Sequence, residues 1–331
     1  MNILMIHGIN QGEKTQEELI KKWTGVLNKE SPGLLNEIPV EMPFYGKILE
    51  KWTDKRLLSQ HQKHIWQITA TQLVLASAQP GSSATDEDIV QQTLESVDND
   101  ELNFINAALD SMAKTLDIDE TKIQNEAKSL QLGLQPQAFT SGNVLQPQSF
   151  LGDLFWPLRR SAIAAARLIG RKSPFKGKYL LYLIKGLRES YTYLYIKSAQ
   201  QEVDAIVWGY LQKSPQVLIA HSLGTVITFK LLREKQEAGD SIDIPLLITT
   251  GSPLAVALFK KRIGEPRYKP NFVKKWANFY DKSDIATEGK GLTSQNFAPG
   301  IDNIKVKNET IHAHGISGYL PHTVDELKAA I

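Results

Sequence analysis

Three polar side chains in the last third of the chain, Ser222, Asp284 and His314, have the types and the order that acyl transfer through a serine requires. A serine hydroxyl is a weak nucleophile until an imidazole takes its proton, and the imidazole needs a carboxylate to hold its tautomer. Ser222 lies in Val217-Leu-Ile-Ala-His-Ser-Leu-Gly-Thr-Val226, where an apolar strand enters Ala220-His221-Ser222-Leu223-Gly224 and a helix follows at once. A sharp strand-to-helix turn needs small residues two positions either side of the serine, because the backbone passes close to its neighbours there. Gly224 meets that need, and Ala220 departs from it by one carbon. The bland alternative is a serine that merely caps the following helix.

The carboxylate is expected after the serine and before the histidine. Asp281 and Asp284 both follow the strand Trp276-Ala-Asn-Phe-Tyr280, just past a strand end; Asp284 is preferred, and Asp281 is the rival that instead closes the turn through an Asx interaction. Ile311-His-Ala-His-Gly-Ile-Ser-Gly-Tyr-Leu320 offers His312 and His314, with glycines that let a loop carry an imidazole over a sheet; His314 is preferred. The pair is weak evidence for a metal site without further ligands, and His61 and His64 read as surface residues. No metal or organic cofactor is expected. A tetrahedral oxyanion needs two preorganised N–H donors. The amide of Leu223, next after the serine, and that of Ile9, in the turn His7-Gly8-Ile9-Asn10, are the candidates.

Taken together, the His-Gly turn, Ala-His-Ser-Leu-Gly, Thr249-Thr-Gly-Ser-Pro-Leu254, Asn278-Phe-Tyr-Asp-Lys-Ser-Asp284 and His314-Gly-Ile-Ser-Gly-Tyr-Leu320 resemble a lipase- or esterase-like α/β-hydrolase. The likeness covers about residues 1 to 47 and 200 to 325. It implies a mostly parallel central sheet flanked by helices, with Ser222, Asp284 and His314 as the triad of a serine esterase that acts through an acyl-enzyme. It leaves open whether the substrate is a lipid ester, another acyl ester or a thioester.

These residues need elements to hold them. Residues 2 to 6 read as a buried parallel strand, followed by a Gly turn and a helix from about Thr15 to Leu27; a second strand is expected near Ile38 to Met42. After the insertion the pattern returns: strand Val217 to Ala220, helix Val226 to Glu234, and strands Leu246 to Thr250 and Trp276 to Tyr280. Between the two parts, residues 48–199 read as a helical cap, with amphipathic helices over Leu49 to Ala78, Asp86 to Leu116 and Tyr179 to Ile196. The expected domains are therefore 1–47 with 200–331, and 48–199. A segment near 134 to 150 nearly repeats Leu-Gln-Pro-Gln, too few copies for a solenoid.

The insertion is electrically split, with 12 acids against 3 bases over 81–130 and 9 bases against 2 acids over 151–190. Solvated faces that pair with each other explain this; the sharper alternative is an interfacial helix for anionic lipid built from Trp156, Arg159, Arg160 and Arg167. The aromatic residues Trp52, Trp66, Phe155, Trp156, Tyr179 and Tyr182 allow either an acyl-chain pocket or ordinary core.

Composition narrows the classes. Hydrophobic residues at 42% and charged residues at 22% indicate an ordinary folded chain, and a net charge of +2 gives no general attraction to nucleic acid. The absence of cysteine among 331 residues excludes disulfides and thiol chemistry and fits a reducing compartment, so the expected location is the cytoplasm, with peripheral contact at an anionic membrane as an option. The start of the chain lacks a basic region and reads as a strand rather than a signal, and no apolar run reaches the roughly 18 residues of a membrane span. The expected partner is a small-molecule or lipid ester. Two rivals stand beside the hydrolase: an inactive hydrolase fold that serves as a binding module, and a nucleotide-binding loop at Gly8-Ile-Asn-Gln-Gly-Glu-Lys-Thr15. In the latter only three residues separate the glycines and Glu13 interrupts the Gly-Lys pair, so the phosphate-loop spacing fails.

Overall fold

Strand β1, Ile3–Ile6, is apolar at every position and buried throughout, as a strand covered on both faces must be. A computed structural model describes its surroundings over residues 2–55, 90–91, 93–94, 97–133, 150–172, 176–240, 242–310 and 313–331. Among these, β1 is followed by α1 (Gln16–Glu30), β2 (Val40–Glu41), α2 (Gly46–Lys55), α3 (Asn99–Thr115), α4 (Glu120–Gly133), α5 (Phe150–Lys172), α6 (Lys176–Tyr195) and α7 (Lys197–Leu211). Then come β3 (Val217–His221), α8 (Leu223–Glu237), β4 (Ile244–Thr250), α9 (Ala257–Ile263), β5 (Val273–Tyr280), β6 (Asp302–Lys305), α10 (Ile316–Tyr319) and α11 (Val324–Ala330).

The chain forms two compact units, one comprising Met1–Trp52 with Glu189–Ile331 and the other Thr53–Arg188. The first holds a six-stranded sheet in the order β2-β1-β3-β4-β5-β6 with every neighbouring pair parallel. It is an α/β unit with helices flanking the sheet. Leu19, Trp23 and Leu27 on α1 join Tyr319, Leu320 and Leu327 over Ile3, Met5, Ile219, Ile248 and Phe279 on one face. On the chain's path, β1 leads outward to β2 while β3 returns to the opposite side of β1. In open parallel sheets such a reversal leaves a crevice at the carboxyl ends of the two diverging strands, here β1 and β3.

The elements differ from the sequence expectations in instructive ways. The second strand shrinks from 38–42 to Val40–Glu41, and the helix expected from Val226 begins directly after Ser222. Strand β6, Asp-Asn-Ile-Lys, was not expected at all: it is a polar edge strand with no apolar alternation to betray it. The long helix expected over 86–116 is interrupted at Asp98, whose carboxylate caps α3 by accepting from the Glu101 amide at 2.8 Å.

The second unit is helical over its described residues, with α3 and α4 each packed on α5. A fully buried ion pair, Arg188 Nε to Glu101 Oε1 at 2.8 Å, lies within it, and Arg188 also donates to the Thr53 carbonyl at 3.2 Å. Its limits fall inside the expected 48–199. The end of α6 belongs to the sheet unit because Tyr193 donates to Asp204 on α7 at 2.8 Å and Arg262 of α9 donates to the Leu194 carbonyl at 2.5 Å. Residues 56–89, including His61, His64 and Trp66, and the near-repeat at 134–149 lie outside the described residues. None of the helices searched among the described residues is long and apolar enough to cross a membrane.

Candidate active site

Ser222 stands between the last residue of β3 and the first of α8, with φ 53° and ψ −128°. Positive φ in a residue with a side chain costs about 1–3 kcal/mol and persists only where neighbours enforce it. The enforcement is visible. The Ser222 amide donates to the Thr250 carbonyl at 3.1 Å, its carbonyl accepts from the Thr225 amide and hydroxyl, and Thr225 also meets the Ser252 hydroxyl at 2.8 Å. A Cβ at Gly224 would lie 2.5 Å from the His7 carbonyl oxygen and 2.6 Å from that of Ile6, so only glycine permits α8 to start against the end of β1. Ala220, by contrast, is buried without strain in β3.

The serine hydroxyl caps nothing. Its Oγ lies 2.8 Å from Nε2 of His314, whose Nδ1 lies 2.8 Å from Oδ2 of Asp284. Three residues separated by 92 and 30 positions thus form one continuous hydrogen-bonded line. Asp284 is fully buried, and Ser222 is 6% exposed. Asp284 accepts twice more: Oδ1 from the Ala286 amide at 3.0 Å, and Oδ2 from the Tyr319 hydroxyl at 2.7 Å.

Asp281 takes the other role. Its carboxylate accepts from the Ser283 amide at 2.6 Å and from the Asn308 amide, which closes the turn after β5 and ties it to the histidine loop. Asn308 extends that tie: Oδ1 accepts from the Thr310 amide and hydroxyl, and Nδ2 donates to the Gly315 carbonyl at 2.9 Å. The Gly315 amide donates back to the Thr310 hydroxyl at 3.2 Å. His314 is therefore held between two buckled ends. Beneath it Gly251 has φ 53°, and a Cβ there would come within 3.1 Å of the His314 ring. His312 lies outside the described residues.

The turn after β1 presses on Ser222. A Cβ at Gly8 would sit 2.8 Å from that of Ser222. Ile9, one of the two oxyanion candidates, follows Gly8 in this turn, and Leu223, the other, opens α8, where its amide is among those a helix cannot satisfy internally. His7 fixes the turn as a neutral imidazole: Nδ1 donates to the Gly8 carbonyl at 2.8 Å, and Nε2 accepts from the Tyr45 amide at 3.3 Å. Burial lowers the His7 pKa to about 4, so both bonds keep their sense at neutral pH. Tyr45 stacks on this ring and donates to the His7 carbonyl, and the Asn10 amide donates to Glu189 at 2.6 Å.

His221, beside Ser222, contacts His314 with ring centroids 5.0 Å apart. Burial first, and then the nearby His314, hold it well below the usual histidine range, so it is a neutral packing partner. Nothing in the residue types foretold the parts played by Tyr319, Asn308, Thr310 and Glu189. Their partners lie many residues away, except for the Asn-x-Thr spacing, which is an ordinary loop signal.

The remaining candidates are used differently. The Arg159 guanidinium donates to the Leu94 and Val97 carbonyls, Arg171 pairs with Glu126 through two bonds of 2.8 and 2.9 Å, and Lys172 donates to the Leu116 carbonyl. Arg160 and Arg167 are half-buried on α5, while the side chains of Phe155 and Trp156 lie outside the described part. Arg159, Arg171 and Lys172 thus each have partners inside their own helical unit. At the nucleotide-loop candidate, Thr15 and Glu18 form a reciprocal capping box on α1, and Lys14 donates to Gln11 at 2.9 Å. In that loop the Asn10, Lys14 and Thr15 amides donate to Glu189, the Gln11 carbonyl and Glu18. Among the described residues no group of three His, Asp or Glu side chains is arranged to hold a metal ion. No family model, curated protein or solved structure matches the chain.

Proposed function

We propose that this protein is a serine hydrolase of the α/β-hydrolase type that cleaves carboxylic or thioesters through an acyl-enzyme on Ser222. The observation that carries this reading is the line Ser222 Oγ, His314 Nε2, His314 Nδ1, Asp284 Oδ2, with 2.8 Å at each junction, on a strained strand-to-helix turn. A structural serine has no use for a strained backbone, and a structural histidine has no use for a nucleophile on one nitrogen and a buried carboxylate on the other.

In the proposed reaction His314 Nε2 takes the Ser222 proton as Oγ attacks the ester carbonyl. Asp284 keeps the other proton on Nδ1 and stabilises the imidazolium that forms. The Ile9 and Leu223 amides receive the oxyanion; one such donor is worth about 3 kcal/mol in the transition state. His314 then gives its proton to the departing alkoxide or thiolate. Water, deprotonated by the same imidazole, releases the acid and restores the serine.

A p-nitrophenyl ester series of increasing chain length tests the reading and measures the acyl preference together. The expected result is a burst of p-nitrophenol equal to the enzyme present, and a fall of about 10⁴-fold or more in kcat for Ser222→Ala and His314→Ala. Rates unchanged in both variants would contradict it.

A further inference from the structure

Tyr319 is an unusual residue for its surroundings. It is fully buried on α10 among the apolar side chains that cover one face of the sheet, Ile3, Leu19 and Leu320 with it, where a phenylalanine would fill the same space. Its hydroxyl is nevertheless committed twice, accepting from the Asp281 amide at 3.2 Å and donating to Asp284 Oδ2 at 2.7 Å. That oxygen is the one that receives His314 Nδ1. Burial, and then the charge of Asp284, push the phenol's ionisation upward, so it stays a donor across the working range.

Two donors on one carboxylate oxygen compete for its charge. We propose that Tyr319 is a positioning residue that tunes the triad: by donating to the oxygen that binds His314, its hydroxyl weakens the carboxylate's hold on an imidazolium and extends catalysis to lower pH. The inference rests on the hydrolase reading above. The groups that face His314 are few: Ser222 and the neutral His221 from the end of β3, Asp284 and Asp281 from the loop after β5, and Tyr319 itself, with Lys22 of α1 acting on His221. The end of β4 contributes only Thr250 and Gly251. Among these, the phenol is the uncharged group that shares Asp284 Oδ2 with His314.

The test is the pH dependence of kcat/KM for ester hydrolysis by the whole protein, whose acid limb reports the base of the free enzyme. In Tyr319→Phe the competing donor is gone, so the limb is expected to move to higher pH by about half a unit, with the plateau falling less than about tenfold. A ring-fluorinated tyrosine at the same position is a stronger donor, and the limb should move the other way. A side chain that only propped Asp284 in place would, when shortened, lower the plateau and leave the limb where it was or move it down; that outcome, or fluorination with no opposite shift, would overturn the proposal. Melting temperatures of both variants separate misfolding from retuning, and the fluorinated variant keeps both hydrogen bonds if the phenylalanine variant fails to fold. An inactive wild-type protein with a reactionless Ser222 would instead bring down the hydrolase reading, so the two failures are distinguishable.

Discussion

Single residues carry the cost of the site. Ser222 keeps positive φ because the strand and helix around it leave no alternative, and Gly224 keeps the helix start against two carbonyl oxygens. Gly224→Ala should therefore destabilise the protein by about 2–3 kcal/mol, since the clash is with backbone that cannot rotate away. Gly209, inside α7, has nothing within 4 Å of a Cβ, and its change to alanine should stabilise by up to about 1 kcal/mol. Urea midpoints of the two variants should move in opposite directions. The central residues were legible in the sequence because the proposed acyl transfer restricts both their types and their order. The choice of Asp284 over Asp281 was legible only as a preference, and it is the spatial fact that one meets His314 and the other Asn308 that separates them.

At the scale of elements, the site is a set of loops at the carboxyl ends of neighbouring strands. β1 delivers the Gly8 turn, β3 the serine, β4 the Gly251 floor, and β5 both aspartates. The strands β1, β3 and β4 were readable because buried parallel strands are near-continuous apolar runs, and β5 through its mostly apolar end, Trp276 to Tyr280. β6 was not, since an edge strand needs no such run, and the cap at Asp98 was hidden within a helical pattern that continued past it. Among its described residues the histidine loop has no helix or strand to stiffen it, and the Asp281, Asn308, Thr310 and Gly315 buckle serves instead. Asn308→Ala should accordingly lower kcat/KM by about 10²-fold, because a misplaced imidazole loses its alignment. The urea midpoint should fall far less than for Gly224→Ala. A midpoint that collapses along with activity would mean that the buckle holds the fold rather than the histidine.

For the molecule as a whole, two units divide the labour by composition. The sheet unit carries the chemistry-bearing residues, and the helical unit spends much of its charge on itself, through the buried Arg188 and Glu101 pair and the contacts of Arg159 and Arg171. A charge split of that kind looks like a binding face in sequence, because pairing across 45 or 87 positions cannot be read from spacing. Removing one partner of a buried pair leaves the other charge stranded, so Glu101→Gln should destabilise the protein by about 3 kcal/mol. The sheet unit also makes the fold acid-sensitive. Unfolded His7 titrates near 6.5 and the folded form near 4, so its contribution is complete above pH 6.5 and is lost as pH falls from 6.5 towards 4. The loss amounts to about 3 kcal/mol from His7, and His221 adds to it in the same sense. Urea unfolding at a series of pH values should show this slope, and it should flatten in His7→Asn.

The claim on which the rest depends is that Ser222 is a reactive nucleophile and not a helix cap. The direct measurement is intact mass and peptide mapping after exposure of the folded protein to a fluorophosphonate. A single adduct on the peptide that contains Ser222, absent from Ser222→Ala and strongly slowed in His314→Ala, is the predicted result. No adduct on the wild-type protein, or an adduct that persists in Ser222→Ala, would contradict it.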